Sequence, residues 1–190
     1  GSIVGANPSS TTTYTVTGTS ALGCIATANA LVTIMPLPNV VVNSPTICPG
    51  SNANLTASGA NTYTWSASSS LNTTTGATVI ASPTVTTTYS VTGTASNGCT
   101  NTANATVTIS PVPQFTVNNA SYCNGSSTYA TLTASVASGI TYQWSPATGL
   151  SANTGGSVQA NPSVTTTYTI IGTNAATCSS TQTAVVTVNT

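Results

Sequence analysis

Apolar and polar residues alternate along this chain with period two, and no stretch shows a helical period of useful length. Ala103, Ala105, Val107 and Ile109 alternate with Thr102, Asn104, Thr106 and Thr108. Tyr89, Val91 and Gly93 alternate with Thr88, Ser90, Thr92 and Thr94. Each run predicts a strand with one face in a core and one in water. Between them lies Asn97-Gly98, the pair favoured in a two-residue type I′ turn, so the two strands are expected to form a hairpin. Upstream, Ala53, Leu55 and Ala57 alternate with Asn52, Asn54 and Thr56 after a Pro49-Gly50 turn. Tyr63 and Trp65 share one face of a short strand, and residues 77–81 and 40–42 read as two more. Six or seven short strands in succession predict a two-sheet sandwich.

The same pattern recurs. Asn7-Pro8-Ser9-Ser10-Thr11-Thr12-Thr13-Tyr14-Thr15-Val16-Thr17-Gly18-Thr19 returns at residues 82–94 and, over its first eight positions, at residues 161–168. Tyr14, Tyr89 and Tyr168 are spaced by 75 and 79 residues, and Cys24, Cys99 and Cys178 keep the same two intervals. Such a period is the mark of a repeat array. Trp65 precedes Tyr89 by 24 residues, as Trp144 precedes Tyr168. Cys48 to Trp65 is 17 residues but Cys123 to Trp144 is 21. The four extra residues are therefore expected around the second strand and the loop after it. Pro36-Leu37-Pro38 and Pro111-Val112-Pro113 are stiff, extended segments suited to linkers.

The organisation expected is a truncated repeat over 1–35 and whole repeats over 36–110 and 111–190. Residues 1–35 match only the C-terminal half of a repeat, as in a chain cut from a longer array, and alone would expose an unpaired sheet face. The fold class is all-β, with tandem immunoglobulin-like sandwiches. Trp65 and Trp144 fall where the third strand of such a sandwich buries a Trp. Tyr14, Tyr89 and Tyr168 fall near the start of the penultimate strand, where a tyrosine corner would lie. These five are the expected core anchors. An exposed Trp platform for sugar stacking is the competing reading of Trp65 and Trp144.

Composition narrows the chemistry. The chain has 190 residues and no Asp, Glu, Lys, Arg or His. Without a carboxylate, imidazole or amine, its many hydroxyls have no side-chain base to activate them, so catalysis is excluded. Calcium sites need carboxylates, and zinc needs clustered thiolates or imidazoles. No cofactor is expected. Nucleic acid is excluded by the lack of any basic patch. Runs such as Val40-Val41-Val42 are far too short to span a bilayer. Asn54-Leu55-Thr56, Asn72-Thr73-Thr74, Asn104-Ala105-Thr106, Asn119-Ala120-Ser121 and Asn124-Gly125-Ser126 are glycosylation sequons, which arise easily by chance in a chain rich in Thr, Ser and Asn.

The five cysteines read as disulfides of an oxidising compartment, two per whole repeat. The candidates are Cys48, Cys99, Cys123 and Cys178, with the partner of Cys24 outside the chain. Within-repeat bonds, Cys48–Cys99 and Cys123–Cys178, are the simplest scheme. Against them, Cys48 and Cys99 are expected at opposite ends of a sandwich whose strands span about 26 Å, whereas a disulfide needs Cα atoms within about 7 Å. If repeats stack head to tail, Cys48 can instead meet Cys178 of the next repeat and staple the array into a rod. Both schemes stand at this point.

Ile47-Cys48-Pro49-Gly50, Leu55-Thr56-Ala57-Ser58-Gly59, Tyr63-Thr64-Trp65-Ser66, Thr86-Thr87-Thr88-Tyr89-Ser90-Val91-Thr92-Gly93-Thr94 and Asn97-Gly98-Cys99 together resemble the Ig-like and PKD-like repeats of very large cell-surface proteins of Bacteroidota. The resemblance covers essentially the whole chain and implies export by the type IX route, with adhesion, gliding or matrix roles. The chain departs from that family's Asp-Ala-Asn-Gly-Cys turn in having Ala95-Ser96-Asn97-Gly98-Cys99. The expected function is a structural repeat region of an extracellular filament, stalk or adhesin. Self-association is expected because the charges that normally guard edge strands are missing. The alternative is an adhesive module whose Thr-rich faces grip polysaccharide or another surface, with ice as a remoter ligand.

Overall fold

A computed structural model describes residues 3–125, 128–135 and 138–189. The described residues contain strands and turns but no helix, so none is long and apolar enough to cross a membrane. The chain opens with a hairpin of β1 (Thr12–Thr19) and β2 (Ile25–Val32), paired antiparallel from Thr12↔Val32 to Thr19↔Ile25.

The first sandwich follows. Its strands are β3 (Val41–Val42), β4 (Thr46–Ile47), β5 (Ala53–Ser58), β6 (Thr62–Trp65), β7 (Thr78–Ala81), β8 (Thr87–Thr94) and β9 (Thr100–Ile109). One sheet runs β3-β5-β7 and the other β4-β9-β8-β6. The alternation in the sequence decides which side chains meet between them. Leu55, Trp65, Val79, Tyr89, Val91, Ala105 and Val107 all point inward and are buried, while the intervening Thr and Asn residues of β5 face water. No polar side chain is buried among the described residues. The core polar tips find partners: Trp65 Nε1 donates to the Gly76 carbonyl at 2.9 Å, and Tyr63 Oη to the Ala60 carbonyl at 2.9 Å.

The second sandwich has β10 (Ala120–Cys123), β11 (Ala130–Thr133), β12 (Thr141–Ser145), β13 (Ser157–Ala160), β14 (Thr166–Thr173) and β15 (Ser179–Asn189). Its sheets are β10-β15-β14-β12 and β11-β13. A bridge between Val117 and Ala134 stands where β3 meets β5 in the first sandwich. Its core repeats the first: Leu132, Trp144, Val158, Tyr168, Ile170, Ala184 and Val186. Trp144 Nε1 donates to the Gly155 carbonyl at 2.8 Å, the counterpart of the Trp65 bond. Burial holds the Tyr168 phenol above its ordinary pKa, with Tyr122 adding to the effect. This is an all-β fold of immunoglobulin-like sandwiches in tandem, with each core closed on itself.

Several sequence expectations change. Tyr14, expected among the core anchors, is 41% exposed, because no second sheet lies over the β1–β2 hairpin among the described residues. The expected tyrosine corners reach elsewhere. Tyr168 Oη donates to the Thr148 carbonyl at 2.9 Å, and Tyr89 Oη pairs with Ser70 Oγ at 2.7 Å, so both tie the strand to the long β6–β7 and β12–β13 connections. The Asn97-Gly98 turn is not a two-residue type I′ turn. Gly98 N donates to the Ala95 carbonyl at 3.0 Å and Ala95 N to the Cys99 carbonyl at 2.9 Å, with only Gly98 at positive φ. That is a three-residue connection whose last member takes the left-handed conformation. The extra four residues also divide. Cys48 to Leu55 is seven residues against nine from Cys123 to Leu132, and Leu55 to Trp65 is ten against twelve from Leu132 to Trp144. Two thus precede the second strand and two follow it.

Candidate functional site: the junction between the sandwiches

The junction is built from one pole of each sandwich. On the first, β4 pairs in parallel with the end of β9, Ile47 opposite Ile109. This short strand carries Cys48 to the end of the sandwich where the chain leaves it. Gly50 takes φ 78° in the turn that follows, and Ser51 N donates to the Cys48 carbonyl at 3.1 Å. On the second, Cys178 sits just past the β14–β15 turn, at the end where the chain enters. That turn is closed by Asn174 N to the Cys178 carbonyl and Thr177 N to the Asn174 carbonyl, both 3.0 Å. Thr177, at φ 64°, occupies the left-handed position held by Gly98 in the first sandwich and Gly23 in the hairpin.

Cys48 and Cys178 are joined by a disulfide, with Cα atoms 5.4 Å apart across 130 residues of sequence. Cys178 is 1% exposed. Of the two schemes open to the sequence, the structure contains the bond between neighbouring repeats. The within-repeat bonds Cys48–Cys99 and Cys123–Cys178 do not form, because the two cysteines of each sandwich lie at opposite poles. The ten-residue strand β9 separates Cys99 from the Cys48 end by about 30 Å. Cys24 and Cys123 are exposed and Cys99 is half-buried, all three unbonded.

Asn174 completes the junction. Its Oδ1 accepts from Ala176 N and Cys178 N, each at 3.0 Å, which fixes its own turn. Its Nδ2 reaches Ser110 Oγ at 3.1 Å and the Pro111 carbonyl at 2.9 Å, which fixes the linker. Ser180 Oγ donates to the Pro113 carbonyl, and Phe115 lies over Gly172 and meets Tyr142 edge-on at 5.1 Å. The earlier linker is held alike: Asn101 Nδ2 donates to the Pro38 carbonyl at 3.0 Å, and Val40 lies over Gly93. Each Pro-x-Pro segment is thus fastened to the sandwich that follows it. What this arrangement does is tie the exit pole of one sandwich to the entry pole of the next.

The sequence marked Cys48 and Cys178 but missed Asn174, Ser110 and Ser180. The only signal for them was polar residues near the Pro-x-Pro linkers, which a chain this rich in Ser and Asn does not distinguish. Among the sequons, Asn72 Oδ1 accepts from Ile80 N at 2.7 Å and Asn119 Oδ1 from Val185 N at 2.8 Å, so both side chains brace strands. Ser126, of the Asn124 sequon, lies outside the described residues.

No family model matches the chain, and no curated protein matches it. Among solved structures it is similar to an I-band fragment from titin, at 10% identity and TM-score 0.43, covering 95% of this chain and 75% of that one. It is also similar to DIP-gamma IG1+IG2, at 11% identity and TM-score 0.38, covering 82% and 99%. A third is Sidekick-1 immunoglobulin domains 1–5, at 15% identity and TM-score 0.36, covering 94% and 45%. At these scores the fold assignment rests on the strand order and register given above.

Proposed function

We propose that this chain is part of the shaft of an extracellular surface filament, stalk or adhesin, built of Ig-like repeats with boundaries after residues 35 and 110 and joined end to end. The observation that carries this reading is the Cys48–Cys178 bond between repeats. A module built only to bind needs no covalent tie to its neighbour, whereas a shaft under tension does. In the chain-entropy account, closing a loop of this length constrains the unfolded chain by about 5 kcal/mol. Between folded sandwiches the bond removes swing about the linker instead. It also redirects load. Tension applied at the two ends of the chain passes from Cys48 straight to Cys178 and bypasses most of both sandwiches.

The disulfide supports an oxidising, extracellular setting. The resemblance to Bacteroidota surface repeats supports the cell surface and type IX export. The absence of every charged side chain supports both a non-catalytic role and lateral association of chains, since nothing repels them.

Single-molecule pulling between the termini tests the shaft reading. In the oxidised chain the 130-residue span is locked, so about 450 Å of extension is withheld. Cys48→Ser is expected to release it in two sandwich-unfolding steps. Identical traces for the two chains would sink the reading. Light scattering across a salt titration tests association, which is expected to change little with ionic strength; dissociation in salt would count against it.

A further inference from the structure

Trp65 and Trp144, the sequence's two candidates for a sugar platform, are 2% and 1% exposed and serve the cores instead. The ring that does face water is Tyr129, at 57% the most exposed of the described aromatic residues. It stands directly before β11 and lines a cleft of about 410 Å³ with Gly149, Leu150, Ser151, Gln159 and Asn161. Such a volume lies in the range that holds small ligands. The pairing of β11 with β13 begins at Ala130↔Ala160, which brings Tyr129 beside Asn161 at the end of the sheet. The 149–151 segment is laced along β13. Asn161 N donates to the Gly149 carbonyl at 2.6 Å, Ser151 N to the Gln159 carbonyl at 2.8 Å, and Gln159 N to Ser151 Oγ at 3.0 Å. Gly149 holds φ 76°, and a Cβ there would stand 2.9 Å from Pro162, so glycine lets the two segments lie this close. The frame of the cleft is therefore set before anything binds.

The first sandwich has the same lacing with different side chains. Ser82 N donates to the Ser70 carbonyl at 2.7 Å, Asn72 N to the Ile80 carbonyl at 3.0 Å, and Ile80 N to Asn72 Oδ1 at 2.7 Å. Asn52 stands there in the place of Tyr129, Ile80 in that of Gln159 and Ser82 in that of Asn161. Ser82 Oγ donates to Asn52 Oδ1 at 2.8 Å, so that pair is closed on itself. In the second sandwich the Tyr129 hydroxyl and the Gln159 and Asn161 side-chain amides make no hydrogen bond within the described residues. Each amide offers two donors and an acceptor. Three positions that differ from their counterparts thus converge on one cleft, as a ring and two amides.

We propose that this cleft binds a neutral saccharide, one hexose unit of an oligosaccharide or polysaccharide. The C–H face of the sugar ring packs on Tyr129, whose body is apolar and whose tip is polar. Gln159 and Asn161 exchange hydrogen bonds with the sugar hydroxyls. An acidic sugar is disfavoured, because the chain has no cation to pair with its carboxylate. The site lies within one sandwich and does not depend on the Cys48–Cys178 bond, so it adds adhesion to a shaft and does not replace it.

The full 190-residue chain, isotopically labelled on nitrogen and titrated with maltohexaose, cellohexaose, mannohexaose and chitohexaose at millimolar concentration, tests this by nuclear magnetic resonance. The side-chain amide signals of Gln159 and Asn161 are expected to shift with at least one of these, and to stay in place with an oligogalacturonate. Tyr129→Ala is expected to weaken binding roughly tenfold, and Tyr129→Phe to keep most of it. The triple change Tyr129→Asn, Gln159→Ile and Asn161→Ser installs the first sandwich's set. It is expected to abolish binding and leave the thermal melt unchanged, since all three side chains are exposed. No shift with any of the four neutral sugars, shifts that persist in the triple variant, or a stronger response to the oligogalacturonate would each overturn the site. Cys48→Ser is expected to release the locked span in pulling experiments and leave sugar binding intact, which separates this site from the shaft reading.

Discussion

The hairpin of residues 12–32 and the β8–β9 and β14–β15 hairpins share a sequence pattern, a register and a turn, yet their inner faces differ. Tyr89 and Tyr168 are 1% and 0% exposed, and Tyr14, at the same position, is 41% exposed. Val91 and Ile170 are fully buried where Val16 is 64% exposed. The pairing of the two strands therefore does not depend on what covers them, but burial does. In the sandwiches the opposing sheet, β3-β5-β7 or β11-β13, lies across that face. Among the described residues nothing crosses it in the hairpin. A groove of about 550 Å³ runs there instead, lined by Val4, Tyr14, Val16, Ala30 and Val32 among others. The same local pattern faces a core in two places and, among the described residues, is uncovered in the third.

The comparison breaks hardest at the tyrosines. Tyr89→Ala is expected to destabilise the first sandwich by about 3–5 kcal/mol, because it opens a cavity against Trp65 and its neighbours. Tyr14→Ala is expected to cost under about 1 kcal/mol, in line with substitutions away from a core. Urea melts followed by Trp fluorescence measure both, and equal costs would mean that the hairpin face is covered in solution. The glycines sharpen the same contrast. A Cβ at Gly93 would stand 2.6 Å from Val40 Cγ2, and one at Gly172 2.6 Å from Phe115 Cε1. At Gly18 it would meet nothing closer than the Ala26 carbonyl at 4.0 Å. Gly93→Ala and Gly172→Ala are expected to cost about 1–3 kcal/mol by overpacking, and Gly18→Ala less than about 0.5 kcal/mol.

A third contrast concerns the turns, which the three hairpins share in geometry but not in residue. Thr177 is β-branched and held at φ 64° where the others have glycine. Thr177→Gly is expected to stabilise the second sandwich by about 1 kcal/mol, and Gly98→Thr to destabilise the first by a similar amount. Thermal melts of the two variants check the pair. A loss on Thr177→Gly would show that the threonine side chain stabilises the junction by more than its backbone strain costs.

Much of the fold was legible because a strand with one wet and one dry face writes its period into the sequence. Leu55, Trp65, Tyr89 and Val107 were readable in this way, and so was the repeat that copies Trp65 and Tyr89 to Trp144 and Tyr168. The turn type was not, since Asn-Gly fits both a two-residue loop and a three-residue loop that ends on a left-handed glycine. Nor were the partners of the tyrosine hydroxyls, which lie about twenty residues away on connections without periodicity.

The sequence by itself determined the repeat, the alternating strands and the absence of any charge-based chemistry, because each is a property of composition and local order. Only the tertiary structure decided which cysteines meet. That choice depends on β4, a strand of two residues whose parallel pairing with β9 carries Cys48 to the exit pole. Two residues are too few to show a period. The strand's place is fixed by a partner more than sixty residues away, so no local pattern could announce it.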